Sequence, residues 1–192
     1  SIRNWHMNAI KKIEYFSKHK DIIWHLIGHL QRNKVKKAVQ YFDCIQSVDS
    51  LRLCEKINEE AALINKRMPI LLQINIAKEE GKYGFLPEEL FDLGGSSLTE
   101  FLDQDTHEFT DVLQTIFTMS SIDIQGVMMI PPYDLDDETY HALYKTTKRC
   151  FELLKRNFKP DMTTLSMGMS GDYPIAITQG ASLIRLGRTL IN

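Results

Sequence analysis

Strand and helix patterns alternate along the whole of this 192-residue chain, which predicts an α/β fold. The strand count predicts a (β/α)8 TIM-type barrel missing its first strand. Three observations carry this expectation. Six short runs, DIIWHLIG, FDCIQSV, PILLQINI, DIQGVMMIP, TTLSMG and SLIRLG, are largely apolar on both faces, as strands of a parallel sheet must be when helices cover them. Longer segments with helical spacing separate the runs. No linker rich in Gly, Pro or Ser marks a boundary, so residues 1–192 read as one domain, incomplete at its N-terminus.

The opening residues 1–4, SIRN, read as a seventh strand running into a helix. From Asn8 to Lys18, Ala9, Ile13 and Phe16 fall on one side with Ile10 flanking them, while Lys11 and Lys18 face water. The strands DIIWHLIG and FDCIQSV follow. Ser50 is placed to cap LRLCEKINEEAALINKR, with Asp49 beside it and Glu55 near the first turn, where negative charge favours a helix N-terminus. After PILLQINI comes the least regular region, LGGSSLTEFLDQDTHEFTD, read as a loop with a second helix starting near Thr106. DIQGVMMIP leads to the longest amphipathic helix, Glu138 to Phe158, which the Pro160 breaker closes. TTLSMG and SLIRLG end the pattern. Seven strands leave an eight-stranded barrel one short, and the chain lies just under the lower limit of about 200 residues for that fold.

Composition excludes several classes. Apolar residues make up 43% and charged residues 25%, as in soluble globular proteins. A formal charge of −2 provides no global positive field for nucleic acid or an anionic membrane. No apolar run approaches the roughly 20 residues that span a bilayer, and the N-terminus lacks the apolar core of a signal peptide. Cys44, Cys54 and Cys150 are widely spaced with no CxxC pair, and read as reduced, buried thiols of a cytoplasmic protein. A monomer is expected.

In parallel β/α folds, functional groups gather where strands end and helices begin. Four such ends are chemically loaded: HLIGHLQRNK, QINIAKEEGKYGF, VMMIPPYD, and the pair LSMGMSGD with IRLGRT. In the last pair, Ser166, two glycines, a second serine and Asp172 precede one helix, and Gly187 and Arg188 stand at the end of the next strand. Glycines admit a ligand close to the backbone, and helix N-termini direct free N–H groups at anions, so these ends together read as a phosphate seat. Caps and tight turns use the same residues. Arg185 interrupts an apolar strand. Pointing inward it needs a buried anion, a polar ring or water; the alternative is exposure at the strand edge.

His25 and His29 have a spacing that would suit a metal on a helix, but they lie on a strand running into a loop and would not face one ion, so no metal is assigned. Arg32, Lys34, Lys36 and Lys37 read as a solvated helix face without an aromatic platform for nucleic acid. Asp134, Asp136, Asp137 and Glu138 read as a loop entering a helix N-terminus.

WHLIGHLQRNKVK, QINIAKEEGKYGF, GVMMIPP, LSMGMSGDYPIAI and GASLIRLG, in this order and at these spacings, closely resemble the pyridoxal phosphate homeostasis proteins, single-domain relatives of the alanine racemase N-terminal barrel. The match runs from about Asn4 to Leu190. The resemblance implies a pyridoxal 5′-phosphate cofactor at the barrel mouth, joined in that family as an imine to a lysine of the first strand. It implies that Ser166, Gly187 and the residue at Arg188 surround the phosphate, and that Asn4 carries over from a Gly-Glu-Asn motif. It also places Arg185 by the pyridine nitrogen, where a second cation is disfavoured and the ring becomes a weak electron sink.

The departures are specific. The strand with the imine lysine has no counterpart, so the chain reads as a fragment of a longer protein, a truncated gene product, or a chain whose gap another segment fills. Lys34, Lys78 and Lys82 follow strand ends, but none is assigned as a substitute. A threonine or similar small residue is usual in the family where Arg188 stands, and a glycine where Asn192 stands. The function implied is a non-enzymatic, pyridoxal-phosphate-binding carrier and regulator in vitamin B6 homeostasis. The alternatives are an alanine racemase-like enzyme and a degenerate or RNA-associated scaffold without cofactor.

Overall fold

The computed structural model describes residues 5–187. Six strands, β1 (His25–Leu26), β2 (Cys44–Val48), β3 (Met68–Gln73), β4 (Ile122–Met128), β5 (Thr164–Met169) and β6 (Leu183–Arg185), form one sheet in chain order. Every neighbouring pair is parallel. This is the succession of βαβ units that the alternating pattern predicts, and the sheet curves into a half-barrel. All six apolar runs contribute a strand. The expected strand at 1–4 lies outside the described residues.

The runs form strands because both faces are covered. All five residues of β2 are buried. On the outer face the sheet packs into the main core, with Ile45, Ile70, Ile124 and Leu165 against α3 (Leu51–Leu63) and α7 (Asp137–Asn157). On the inner face Cys44, Leu71 and Met128 make a separate apolar floor. Two residues further along β2 and β3 stand Gln46 and Gln73, so the inner face turns polar toward these strand ends, while Ile130 after β4 keeps it apolar. Gly126 lets β4 approach β5, since a Cβ there would overlap the Thr164 carbonyl oxygen.

Local signals set most helix starts. Ser50 caps α3 by accepting from the Leu53 N–H at 3.3 Å. Asp136 caps α7 by accepting from the Thr139 N–H at 2.7 Å, with Asp137 and Glu138 in the first turn and Lys155 and Arg156 in the last, matching the helix dipole at both ends. The chain then turns at 158–161, where Pro160 stands.

Three expectations need correction. The first helix, α1 (Trp5–Tyr15), begins and ends three residues early; Ala9 and Ile13 pack on the core, but Phe16 falls in the following turn and is exposed. The irregular region contains helices of its own. A short α4 (Pro87–Leu90) precedes it, α5 (Leu98–Leu102) opens with a capping box between Ser97 and Glu100, and α6 (Asp111–Thr118) starts at the Thr110 cap, later than Thr106. Leu113 and Ile116 of α6 are buried in the core. Finally, β1 is just two residues long because it pairs on one side only among the described residues, and the Trp24 N–H is taken by the Asp43 carboxylate at 2.7 Å. Completing the set, α2 (Val35–Tyr41) lies between β1 and β2, and α8 (Tyr173–Thr178) links β5 to β6.

Candidate functional site

The C-terminal strand ends enclose a cavity of about 610 Å³. Its wall comes from His25 and Ile27 of the β1 segment, Gln46 of β2, Ile130 and Tyr133 after β4, Met169 and Ser170 at the end of β5, and Leu183 to Gly187 along β6. Strand alternation places the polar members: Gln46 follows Cys44 by two residues on the inner face, and Arg185 follows Leu183.

Arg185 points inward and is held from two sides. Its Nη1 donates to Ser166 Oγ at 2.7 Å, and its Nη2 donates to the Met129 carbonyl oxygen at 2.7 Å. Ser166 Oγ in turn donates to Gln46 Oε1 at 2.6 Å, and Gln46 Nε2 lies 2.9 Å from His25 Nδ1. A polar chain therefore crosses the inner face of the half-barrel from β6 through β5 and β2 to β1. Burial pushes the Arg185 guanidinium down from its ordinary value, opposed by Tyr144 and Asp172. Arginine nonetheless stays protonated in proteins. Burial also pushes His25 down, against an opposing pull from Asp43, which favours the neutral imidazole.

Behind the β5 end, Asp172 is 5% exposed and ties the turn together. Its Oδ1 accepts from the Met169 N–H at 2.8 Å and from the Tyr144 hydroxyl. Burial and that carboxylate push the Tyr144 phenol far above its usual range. The turn keeps its shape because Gly168, at φ +97°, sits where a Cβ would come 2.6 Å from the Ala176 Cβ. At the cavity edge, Gly187 N–H donates to Ser170 Oγ at 3.3 Å, and nothing stands within 4 Å of the position a Gly187 Cβ would take.

Among the residues singled out from the sequence, Arg185 and Gly187 both line the cavity. Ser166 lies beneath the wall, fully buried, with its hydroxyl already shared between Gln46 and Arg185. Asn4 and Arg188 lie outside the described residues. Sequence reasoning missed Gln46 and weighed His25 only as a metal ligand. Gln46 carried a readable signal, a lone amide inside the apolar run FDCIQSV, of the same kind that exposed Arg185. His25 and His29 engage different partners: His29 lies 3.5 Å from the Asp49 carboxylate and stacks on Tyr83 with ring centroids 3.7 Å apart.

The parallel half-barrel that carries this site defines the fold class. The fold is that of alanine racemase: the enzyme from Clostridium difficile superposes with a TM-score of 0.59 over 93% of this chain and 49% of its own, at 15% identity. No family model matches the chain. The particular family comes from full-length relatives. A pyridoxal phosphate homeostasis protein of Synechocystis sp. is 36% identical over 182 residues, covering 95% of this chain and 75% of that protein. One from Pasteurella multocida is 31% identical over 190 residues, covering 97% and 73%. The chain belongs to the pyridoxal phosphate homeostasis protein family. PipY of Synechococcus elongatus, solved with pyridoxal phosphate bound, matches with a TM-score of 0.79 and 31% identity over 97% of this chain and 78% of its own.

Proposed function

We propose that this chain binds pyridoxal 5′-phosphate in the 610 Å³ cavity and acts as a non-enzymatic carrier and regulator of that cofactor. The observation that carries the reading is Arg185, a cation held rigid inside a cavity whose described lining contains no carboxylate. Such a site favours an anionic, planar ligand. The donor set fits the cofactor: Ser170 and the Gly187 backbone lie at one end for the phosphate, and the guanidinium lies along the inner wall for the pyridine edge. Ser166 then serves the phosphate reading indirectly, by fixing Arg185, while Arg188 and Asn4 are assigned to the phosphate and the ring by family resemblance alone.

When bound, the cofactor brings a reactive aldehyde and an electron-withdrawing ring. Arg185 would lie along the pyridine edge of the bound cofactor and would disfavour protonation of the ring nitrogen, because two adjacent cations repel. The apolar wall of Ile27, Ile130 and Leu183 limits water around the ring. These actions suit holding the cofactor better than withdrawing electrons through it. Lys34, Lys78 and Lys82 are not among the described lining residues, and none is assigned to the cofactor aldehyde. The sheet is read as the main arc of an eight-stranded barrel, because β1 and β6 each pair on one side only among the described residues. Three buried thiols, with burial pushing each upward from its ordinary value, support a reducing, cytoplasmic setting.

The test is a fluorescence titration with pyridoxal phosphate and with pyridoxal, followed by borohydride treatment and incubation with L-alanine. The reading expects tighter binding of the phosphorylated form, no single lysine labelled in full, and no D-alanine. Turnover of L-alanine would instead identify a racemase-like enzyme.

A further inference from the structure

The polar chain across the cavity has a direction, and the direction begins at Arg185. A guanidinium can only donate, so Ser166 Oγ accepts its N–H. Ser166 is fully buried, and among the described residues its hydroxyl proton has one acceptor, Gln46 Oε1. With its oxygen facing Ser166, the Gln46 amide presents its NH2 group to His25 Nδ1. That nitrogen must then accept. We propose that Arg185 thereby fixes His25 as the neutral imidazole with its proton on Nε2, and that this N–H is a donor into the cavity that orients the bound ring through one of its oxygen acceptors.

A proton on Nδ1 would face the amide N–H at hydrogen-bond distance. Turning the amide to relieve that clash would set its NH2 against Ser166 and leave the buried hydroxyl proton without an acceptor, a penalty of the size of a lost hydrogen bond. The charged groups acting on His25 are Asp43, at the start of the β2 segment, and Arg185, through the chain just described. Asp43 favours the imidazolium, yet burial outweighs it. Four strands thus contribute to one tautomer, and Gln46 and Ser166 are positioning residues for it. The binding part of the inference rests on the proposed pyridoxal phosphate cavity, whereas the tautomer stands on the ligand-free geometry.

Nitrogen-15 NMR of the histidine rings in the ligand-free chain at neutral pH tests the direction, with His25 assigned by loss of its signals in His25→Gln. The expected result is an unprotonated Nδ1 and a protonated Nε2. In Gln46→Glu, where an acceptor replaces the amide NH2, the proton should appear on Nδ1. In Ser166→Ala, where the amide can turn freely, both ring forms should appear. An Nδ1–H form or an imidazolium in the unsubstituted chain, or an unchanged Nε2–H form in both variants, would overturn the inference. For the donor role, His25→Leu should weaken pyridoxal phosphate binding roughly five- to tenfold, while His25→Gln, which can still accept from Gln46 and donate to the cavity, should stay within about twofold. Equal binding by the leucine and glutamine variants would refute the donor role. If the unsubstituted chain takes up no pyridoxal phosphate, the cavity reading and the donor role fall, and the NMR result alone decides the direction.

Discussion

Replacing Ser166 by alanine should destabilise the fold far more than the loss of one small hydroxyl implies. That hydroxyl accepts from the Arg185 guanidinium at 2.7 Å and donates to Gln46 at 2.6 Å. A hydrogen bond to a charged group contributes about 1.5–3 kcal/mol, and an acceptor left unsatisfied in the interior costs about 1–3 kcal/mol. Both partners border the cavity, but Gln46 is only 1% exposed, so it recovers less of its loss there than Arg185 does. The net expectation is about 2–4 kcal/mol, or a fall in Tm of about 5–15 °C for a chain of this size. Urea unfolding followed by tryptophan fluorescence reads the change. Ser182→Ala supplies the comparison: its hydroxyl accepts from the Leu165 N–H at 2.8 Å and donates to the Thr163 carbonyl oxygen at 3.1 Å, but on the exposed side, and its removal should cost about 1 kcal/mol. If Ser166→Ala costs no more than Ser182→Ala, the polar chain across the barrel does not hold Arg185.

Gly168→Ala should cost about 2–4 kcal/mol in the same assay, because the new Cβ meets Ala176 Cβ at 2.6 Å and the backbone stands at φ +97°; an unchanged midpoint would contradict the tight junction of β5 and α8. Alkaline pH should destabilise the chain. The Tyr144 phenol is raised by burial and by Asp172, so the unfolded chain loses this proton above about pH 10 while the folded chain keeps it, and stability present below that pH is lost above it. The buried thiols act in the same direction, with Cys44 and Cys150 pushed up to about 12, so Tyr144→Phe should lower the slope by about 1.4 kcal/mol per pH unit without abolishing it. A slope unchanged by Tyr144→Phe would contradict the buried phenol. Ser170→Ala should weaken pyridoxal phosphate but not pyridoxal, roughly three- to tenfold; equal loss for both would move the phosphate away from the Gly187 edge.

The fold was readable where burial on two faces left a largely apolar run, which is why all six strands overlap their segments. Helix starts were readable only where one capping residue stood alone. Between 103 and 110 the chain offers Asp103, Asp105, Thr106 and Thr110, all competent caps, and tertiary burial of Leu113 and Ile116 selects the last. Ser97 and Glu100 form a capping box whose spacing was visible in the sequence but was overshadowed by the glycine and serine cluster around it. The site divides in the same way. Arg185 stood out as a lone cation in an apolar strand, while the partners that fix it are remote: Ser166 and Gln46 lie 120 residues apart in sequence. That Ser166 braces the arginine depends on the inward face shared by β2, β5 and β6, which only the folded sheet supplies.

The central claim is that Arg185 sits in a cavity that takes up pyridoxal phosphate. Isothermal titration of pyridoxal phosphate into the unsubstituted chain and into Arg185→Leu tests it directly. The account predicts one-to-one binding that weakens at least tenfold in the variant, since a buried charge-assisted contact is worth about 1.5–3 kcal/mol. Equal binding by the two proteins, or no binding by either, would contradict it.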